Sequence, residues 1–500
     1  MITFPFSKGV VIDGNSLTLD GAIAIAHGAK VLLAASSRKR VEKSQKLVQS
    51  QAKESKPIYG INTGFGFFSK TKINHRQLKK LQANILKSHA AGYGPPLSVQ
   101  ETRLAMALRL NVLVRGYAGV RFQLCEALHR LIDAEIYPVI PEFGSVGASG
   151  DLAPLAHLAL PLIGMGMVRY EGKLIAAEQA LKSANLKPIE LIEKEGLSLI
   201  NGTQIMLAVG GLALKYALDL AVKANKVAAL SYEALNASPD PLNPMIHELR
   251  QQHGQIESAR QILQELQGSY LLNPKTERVQ VQDPYSLRCA PQVHGASRQF
   301  LEYAKQVIEA ELNAVTDNPL VFADQGKILS GGNFHGEPLA LAFDTAALAT
   351  SILSNISDRR LEVLLNPHLS GLPPFLAMHE GINSGYMATQ YLSASLVNEN
   401  KVACFPASAD SIPGNVGIED FVSMGMTSAR KLRNVVRNTR VVLGLELLAA
   451  AQAVDLRKVK HLGKGTKKTY DLVRSAIPKL STDRVLSEDI NKIVEIMDKV

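Results

Sequence analysis

A mainly α fold is predicted for this chain: a long central helix bundle with a smaller mixed α+β domain at its N-terminal end. Three observations predict it. Apolar residues recur at helical spacing over long stretches, strand-like runs are few and short, and no linker or low-complexity tract divides the 500 residues. A chain of this length exceeds the usual size of one domain, so two closely packed domains are expected, 1–205 and 206–500.

Taken in order, residues 9–12, Gly-Val-Val-Ile, and 31–33, Val-Leu-Leu, read as short strands. Leu104, Ala107, Leu108, Leu110, Val112 and Leu113 begin an amphipathic helical pattern that runs towards Ile136. Residues 152–168 are uncharged but contain Pro154, His157, Pro161 and glycines. They fall short of the ~20 residues that a spanning helix needs, so a buried helical segment is expected there and no membrane association. Up to about residue 205 the chain mixes strands, Gly-rich loops and helices; beyond it, the long apolar stretches 205–235 and 339–365 dominate. Helices apolar on most faces must be covered on most faces, so an oligomer is expected.

Composition narrows the function classes. Hydrophobic residues make up 46% and charged residues 20%, as in an ordered, soluble protein. Cys125, Cys289 and Cys404 are too few and too scattered for a disulfide framework or a four-cysteine zinc site, which fits a reducing cytoplasm. None of the twelve histidines lies in H-E-x-x-H or beside a Cys-x-x-Cys, so no metal is expected. The net charge of +10 raises nucleic acid as a partner, with the densest basic run at Arg457, Lys458, Lys460, Lys464, Lys467 and Lys468. That run has no interleaved aromatics and reads as a solvated face, so no nucleic-acid partner is expected. The first eight residues have no basic lead followed by a long apolar run, so no secretory signal is expected.

The most informative segment is Gly144-Ser145-Val146-Gly147-Ala148-Ser149-Gly150-Asp151-Leu152-Ala153-Pro154. Glycine lacks a Cβ, so the amide nitrogen of Gly150 can fold back on the Ala148 carbonyl in a backbone geometry that strains other residues. Ring closure and loss of the Ser149 hydroxyl would leave an electron-poor methylene, a centre that takes up amines. The same residues also read as a Gly-rich turn opening a helix at Asp151, with Pro154 tolerated in the first turn and the carboxylate near the positive helix end. The segment spells neither G-x-G-x-x-G nor G-x-S-x-G.

It closely resembles the cofactor-forming loop of the MIO-dependent aromatic amino acid ammonia-lyases, in which Ala-Ser-Gly becomes 4-methylideneimidazol-5-one, MIO. The resemblance runs from about Ser16 to about Leu456. It passes through Tyr59-Gly60-Ile61-Asn62-Thr63-Gly64-Phe65-Gly66, Ser88-His89-Ala90-Ala91-Gly92 and Asn201-Gly202-Thr203-Gln204. It continues through Gln282-Asp283-Pro284-Tyr285-Ser286-Leu287-Arg288-Cys289 and Gly331-Gly332-Asn333-Phe334-His335-Gly336, in family order. It implies MIO from Ala148, Ser149 and Gly150, no external cofactor, a small-molecule amino acid substrate and a homotetramer.

Ammonia elimination must turn an amine into a better leaving group and hold a base against a poorly acidic β-proton. By resemblance the amine adds to the methylene from Ser149 and Tyr59 is the base. A phenol near its ordinary pKa of about 10 needs neighbours that favour the phenolate. Arg288 corresponds to the family's carboxylate-binding arginine, and its planar fork suits a bidentate grip. If Tyr285-Ser286-Leu287-Arg288 is helical, Tyr285 and Arg288 share a face. Tyr285 and Gln282 resemble residues beside the cofactor, Asn201 the asparagine near the ring oxygen and substrate, and Phe334 the aromatic that covers the electrophile. His157 and His335 are expected to be structural.

For substrate choice, Ser88-His89 is the pairing of histidine-specific members, and Glu419 falls where those members carry glutamate. An imidazole can satisfy both polar groups, whereas a phenyl ring leaves them unpaired. L-histidine to urocanate is therefore the expected reaction, with a tyrosine or phenylalanine lyase or an aminomutase as the alternative. Before Glu419 the chain reads Ile412-Pro413-Gly414-Asn415-Val416-Gly417-Ile418 where histidine-specific members usually have Thr-Ser-Ala-Asn-Gln, and Ile418 and Phe405 are apolar where a polar residue is usual.

Overall fold

The computed structural model describes residues 9–54, 56–277 and 281–500. Packing groups them into two units that do not follow a single cut. One holds residues up to Leu212 together with Lys305–Phe343 and Pro406–Arg430; the other holds Ala213–Ala304, Asp344–Phe405 and Lys431–Val500.

The first unit carries the strands described for this chain. Val10–Ile12 pairs in parallel with Val31–Leu33, the two runs expected from their composition. Tyr93–Pro96 pairs antiparallel with Pro141–Phe143, which leads straight into Gly144. The amphipathic helical pattern expected towards Ile136 is two helices, Val99–Leu113 and Phe122–Asp133. The break has a local cause, because Gly116 and Gly119 between them adopt φ of 83° and 71°. Val99–Leu113 is also not amphipathic: residues from Glu101 to Leu113 are buried, charged ones included. A capping box of Ser98 and Glu101 starts it, each satisfying the other's backbone amide. Residues 152–168 form a helix, Leu152–Ala159, a short 3-10 turn, and the beginning of the strand Met167–Tyr170.

Long helices make up most of the second unit. Gln204–Leu235 and Glu337–Leu365 each begin in the first unit and continue into the second. Both have the length and apolarity to cross a bilayer, yet 72% of each apolar window is buried inside the protein, as in core helices. Ala290–Glu311 and Gly425–Arg457, 22 and 33 residues long, have no counterpart in the sequence reading; their many charged residues hide the apolar stripe. A core of Ala229, Tyr232, Ile262, Leu266, Leu287 and Ile356 seats the short helix Tyr285–Arg288.

Candidate active site

The Gly144–Pro154 segment is a folded-back turn opening a helix. Gly147 and Gly150, with φ of 74° and 72°, face one another across an antiparallel bridge, and Gly150 also pairs with Gly202. A side chain fits at neither: a Cβ on Gly150 would land on the Gly202 carbonyl, and one on Gly147 on the Ser423 hydroxyl. The turn is pinned by the Asp151 N–H donating to the Gly202 carbonyl at 2.7 Å and by the Met424 N–H donating to the Val146 carbonyl at 3.0 Å.

Asp151 departs from the sequence reading. Its carboxylate does not cap its own helix; it accepts from the Ile205 and Met206 amides, at 3.0 and 2.8 Å, at the start of Gln204–Leu235, and from the Ser145 hydroxyl at 3.0 Å. Complete burial nevertheless pushes it up to about 7, with those donors pulling the other way.

Around Glu419 the first unit gathers Ser149, Tyr59 and His89. The Ser149 hydroxyl donates to Glu419 Oε1 at 3.3 Å, and Asn415 Nδ2 donates to the same oxygen at 3.2 Å. Glu419 lies on a tight loop closed by the Gly414–Glu419 bridge, where Asn415 and Val416 take positive φ. The amide oxygen of Asn415 accepts from the Phe67 N–H at 3.2 Å, tying this loop to the turn after Tyr59. Ile58 and Ile61 hold that turn in a small core with Val48, Leu78 and Val321. Burial pushes the Tyr59 phenol above its ordinary pKa and the Glu419 charge adds to the push, while the Gly66 backbone hydrogen bond opposes them.

His89 ends the helix His75–His89. Its Nδ1 lies 3.0 Å from both the Ile85 carbonyl and the Ser88 hydroxyl; a proton on Nδ1 pairs with the carbonyl and leaves Nε2 as an acceptor. Burial holds it below its ordinary pKa, partly offset by the Ile85 carbonyl and Glu419. His157 Nε2 accepts the Gly92 N–H at 3.0 Å, and His335 stacks on Phe421 and reaches its carbonyl, so both brace loops of the site. Phe334 is half-buried in the loop before Glu337–Leu365.

Asn201 follows the helix Glu195–Ile200, and its buried side-chain oxygen has no hydrogen-bond partner among the described residues. Behind it stands Arg109, which the sequence reading missed. The only signal was a charged residue inside a run otherwise apolar, Leu108-Arg109-Leu110.

Gln282, Tyr285 and Arg288 belong to the second unit. Tyr285–Arg288 is one helical turn, with the Arg288 guanidinium 4.7 Å from the Tyr285 ring centroid. Among the described residues no ion pair engages Arg288, and its buried Nε has no partner. Tyr285 is 71% exposed, and Gln282 is exposed as well.

The glycine-cradled Ala-Ser-Gly turn, with the Glu419 carboxylate against Ser149, is the segment on which the resemblance to the aromatic amino acid ammonia-lyases rests. The model of the aromatic amino acid lyase family matches residues 17–475, and the chain belongs to that family; it is a carbon–nitrogen lyase. It is 49% identical over 492 residues to a histidine ammonia-lyase of Treponema denticola, covering 98% of this chain and 97% of that one. The crystal structure of histidine ammonia-lyase from Trypanosoma cruzi superposes with a TM-score of 0.91 at 41% identity, covering 98% and 93%. Tyrosine aminomutase from Streptomyces globisporus superposes with 0.93 at 37%, covering 98% and 97%.

Proposed function

We propose that the enzyme converts L-histidine to urocanate and ammonia with an MIO group formed from Ala148, Ser149 and Gly150, in a homotetramer. The observation that carries the reading is the Ser149–Glu419 contact at 3.3 Å, with His89 and Tyr59 both under the influence of the same carboxylate. The chain's residues fit the group: glycine is required at 150, positive φ holds the turn closed, and Asn201 offers a buried, unpaired amide oxygen to an amine.

The group supplies an electron-poor methylene for the substrate amine. The rest falls to side chains. Neutral His89, with Nε2 free to accept, and Glu419 hold the two N–H groups of the substrate ring in its imidazolium form. The Tyr59 oxygen takes the β-proton, and a substrate donor that engages Glu419 removes the carboxylate's upward push on the phenol. Arg288, which has no ion-pair partner among the described residues and stacks on Tyr285, is suited to grip the substrate carboxylate.

The test is kcat/KM for L-histidine, L-tyrosine and L-phenylalanine offered separately, read as absorbance of the conjugated product. Histidine should lead by a wide margin; equal or higher values for tyrosine overturn the substrate. A second reading, tyrosine lyase or aminomutase chemistry, draws on Ile418, 55% exposed on the Glu419 loop, and on the aminomutase likeness. Formation of a β-amino acid in the same incubations would establish it.

A further inference from the structure

Arg109 lies in Val99–Leu113 with no exposed surface. Its Nη1 donates to the Asn201 carbonyl at 2.8 Å and to Gln204 Oε1 at 2.7 Å. Among the described residues, its Nε and Nη2 are buried without partners. The neighbouring carboxylate, Asp317, is already committed to Lys194 at 2.9 Å and to Ser198 at 3.2 Å. A buried cation without a counter-ion of its own costs stability, so packing alone does not explain it.

What Arg109 grips does explain it. The Asn201 carbonyl on its Nη1 belongs to the peptide bond that leads into Gly202. Gly202 in turn pairs with Gly150, and its carbonyl accepts the Asp151 N–H. Space at Gly202 is closed from behind: a Cβ there would meet Arg109 Nη1, Gln204 Oε1 and the Thr316 carbonyl. Gln204 is itself tethered to Thr316 Oγ1 at 2.5 Å. The guanidinium thus clamps the back of a segment whose front edge sets the backbone of Gly150.

We infer that Arg109 is a positioning residue for closure of the Ala148–Gly150 ring, holding Asn201-Gly202 so that the Gly150 nitrogen faces the Ala148 carbonyl. The inference rests on the cofactor reading above. In the closure the Gly150 nitrogen bonds to the Ala148 carbonyl carbon, and that carbonyl oxygen leaves as water with the amide protons of Gly150 and Ser149. The Ser149 hydroxyl then leaves as a second water with the Ser149 Cα proton, and no oxidant is needed. Arg109 moves none of these atoms; it restricts the geometry in which they meet.

The experiment follows intact mass of the full-length chain with time after synthesis, alongside helix content and melting temperature. Arg109→Met removes the donors and keeps the bulk; Arg109→Lys keeps the charge; Gln204→Met loosens the clamp and spares the bond to Asn201. Folded wild type should reach a mass two waters below the encoded chain. Folded Arg109→Met should lose those waters about tenfold or more slowly, as expected when a charge-assisted hydrogen bond is lost, with Arg109→Lys in between. Folded variants that dehydrate at the wild-type rate, whatever their melting temperatures, overturn the inference and leave the cofactor reading intact. If Arg109→Met does not fold, the rates of Arg109→Lys and Gln204→Met decide in the same way. Active wild type at the unmodified mass overturns both.

Discussion

Replacing Glu419 by Gln probes two proposed consequences of one charge. The side chain is half-buried, accepts from Ser149 and Asn415 through the same oxygen, and raises Tyr59. Gln keeps the size and one acceptor but loses the charge. A charge-assisted hydrogen bond contributes about 1.5–3 kcal/mol, so kcat/KM for L-histidine should fall about 10- to 150-fold. The second consequence has the opposite sense. The carboxylate lifts the Tyr59 phenol, so its removal should lower that pKa and move the acidic limb of the pH–rate profile to lower pH. The assay is urocanate absorbance at subsaturating substrate from about pH 8 to about pH 12, a range set around the ordinary tyrosine value of about 10. An unchanged kcat/KM for histidine would refute the role of Glu419, and an unmoved limb would refute Tyr59 as the base.

Arg288→Lys keeps the charge but not the planar fork; kcat/KM should drop about tenfold or more with helix content unchanged, and wild-type kinetics would reassign Arg288 to structure. Ser149→Ala should fold, fall at most one water, that of ring closure, below its own encoded mass because it has no hydroxyl to eliminate, and lose nearly all turnover, as read by mass spectrometry and the same absorbance assay. Asp151 has its carboxyl raised to about 7 in the fold against 3.8 unfolded, so its contribution is present below about pH 4 and lost as pH rises through about 7. In a Ser149→Ala background, Asp151→Asn should therefore gain melting temperature relative to its parent at pH 8 and gain little at pH 4; a pH-independent difference contradicts the buried ionisation.

Some of this protein was legible in its residues because the signals are local. Val10–Ile12 and Val31–Leu33 are short β-branched and apolar runs, and the long apolar stretches became Gln204–Leu235 and Glu337–Leu365. The break between Val99–Leu113 and Phe122–Asp133 was also written in Gly116 and Gly119, but the apolar pattern continues across them and masks it. Ala148-Ser149-Gly150 and Tyr59 stand out because chemistry demands particular residue types at fixed spacing. What distant residues do to one another was not legible. Glu419 meets Ser149 across 270 positions, Asp151 caps a helix that starts some fifty residues later, and Arg109 supports Asn201 from 92 away. Hydrogen bonds and burial act over a few ångströms in space, and only the tertiary fold decides which residues are that near.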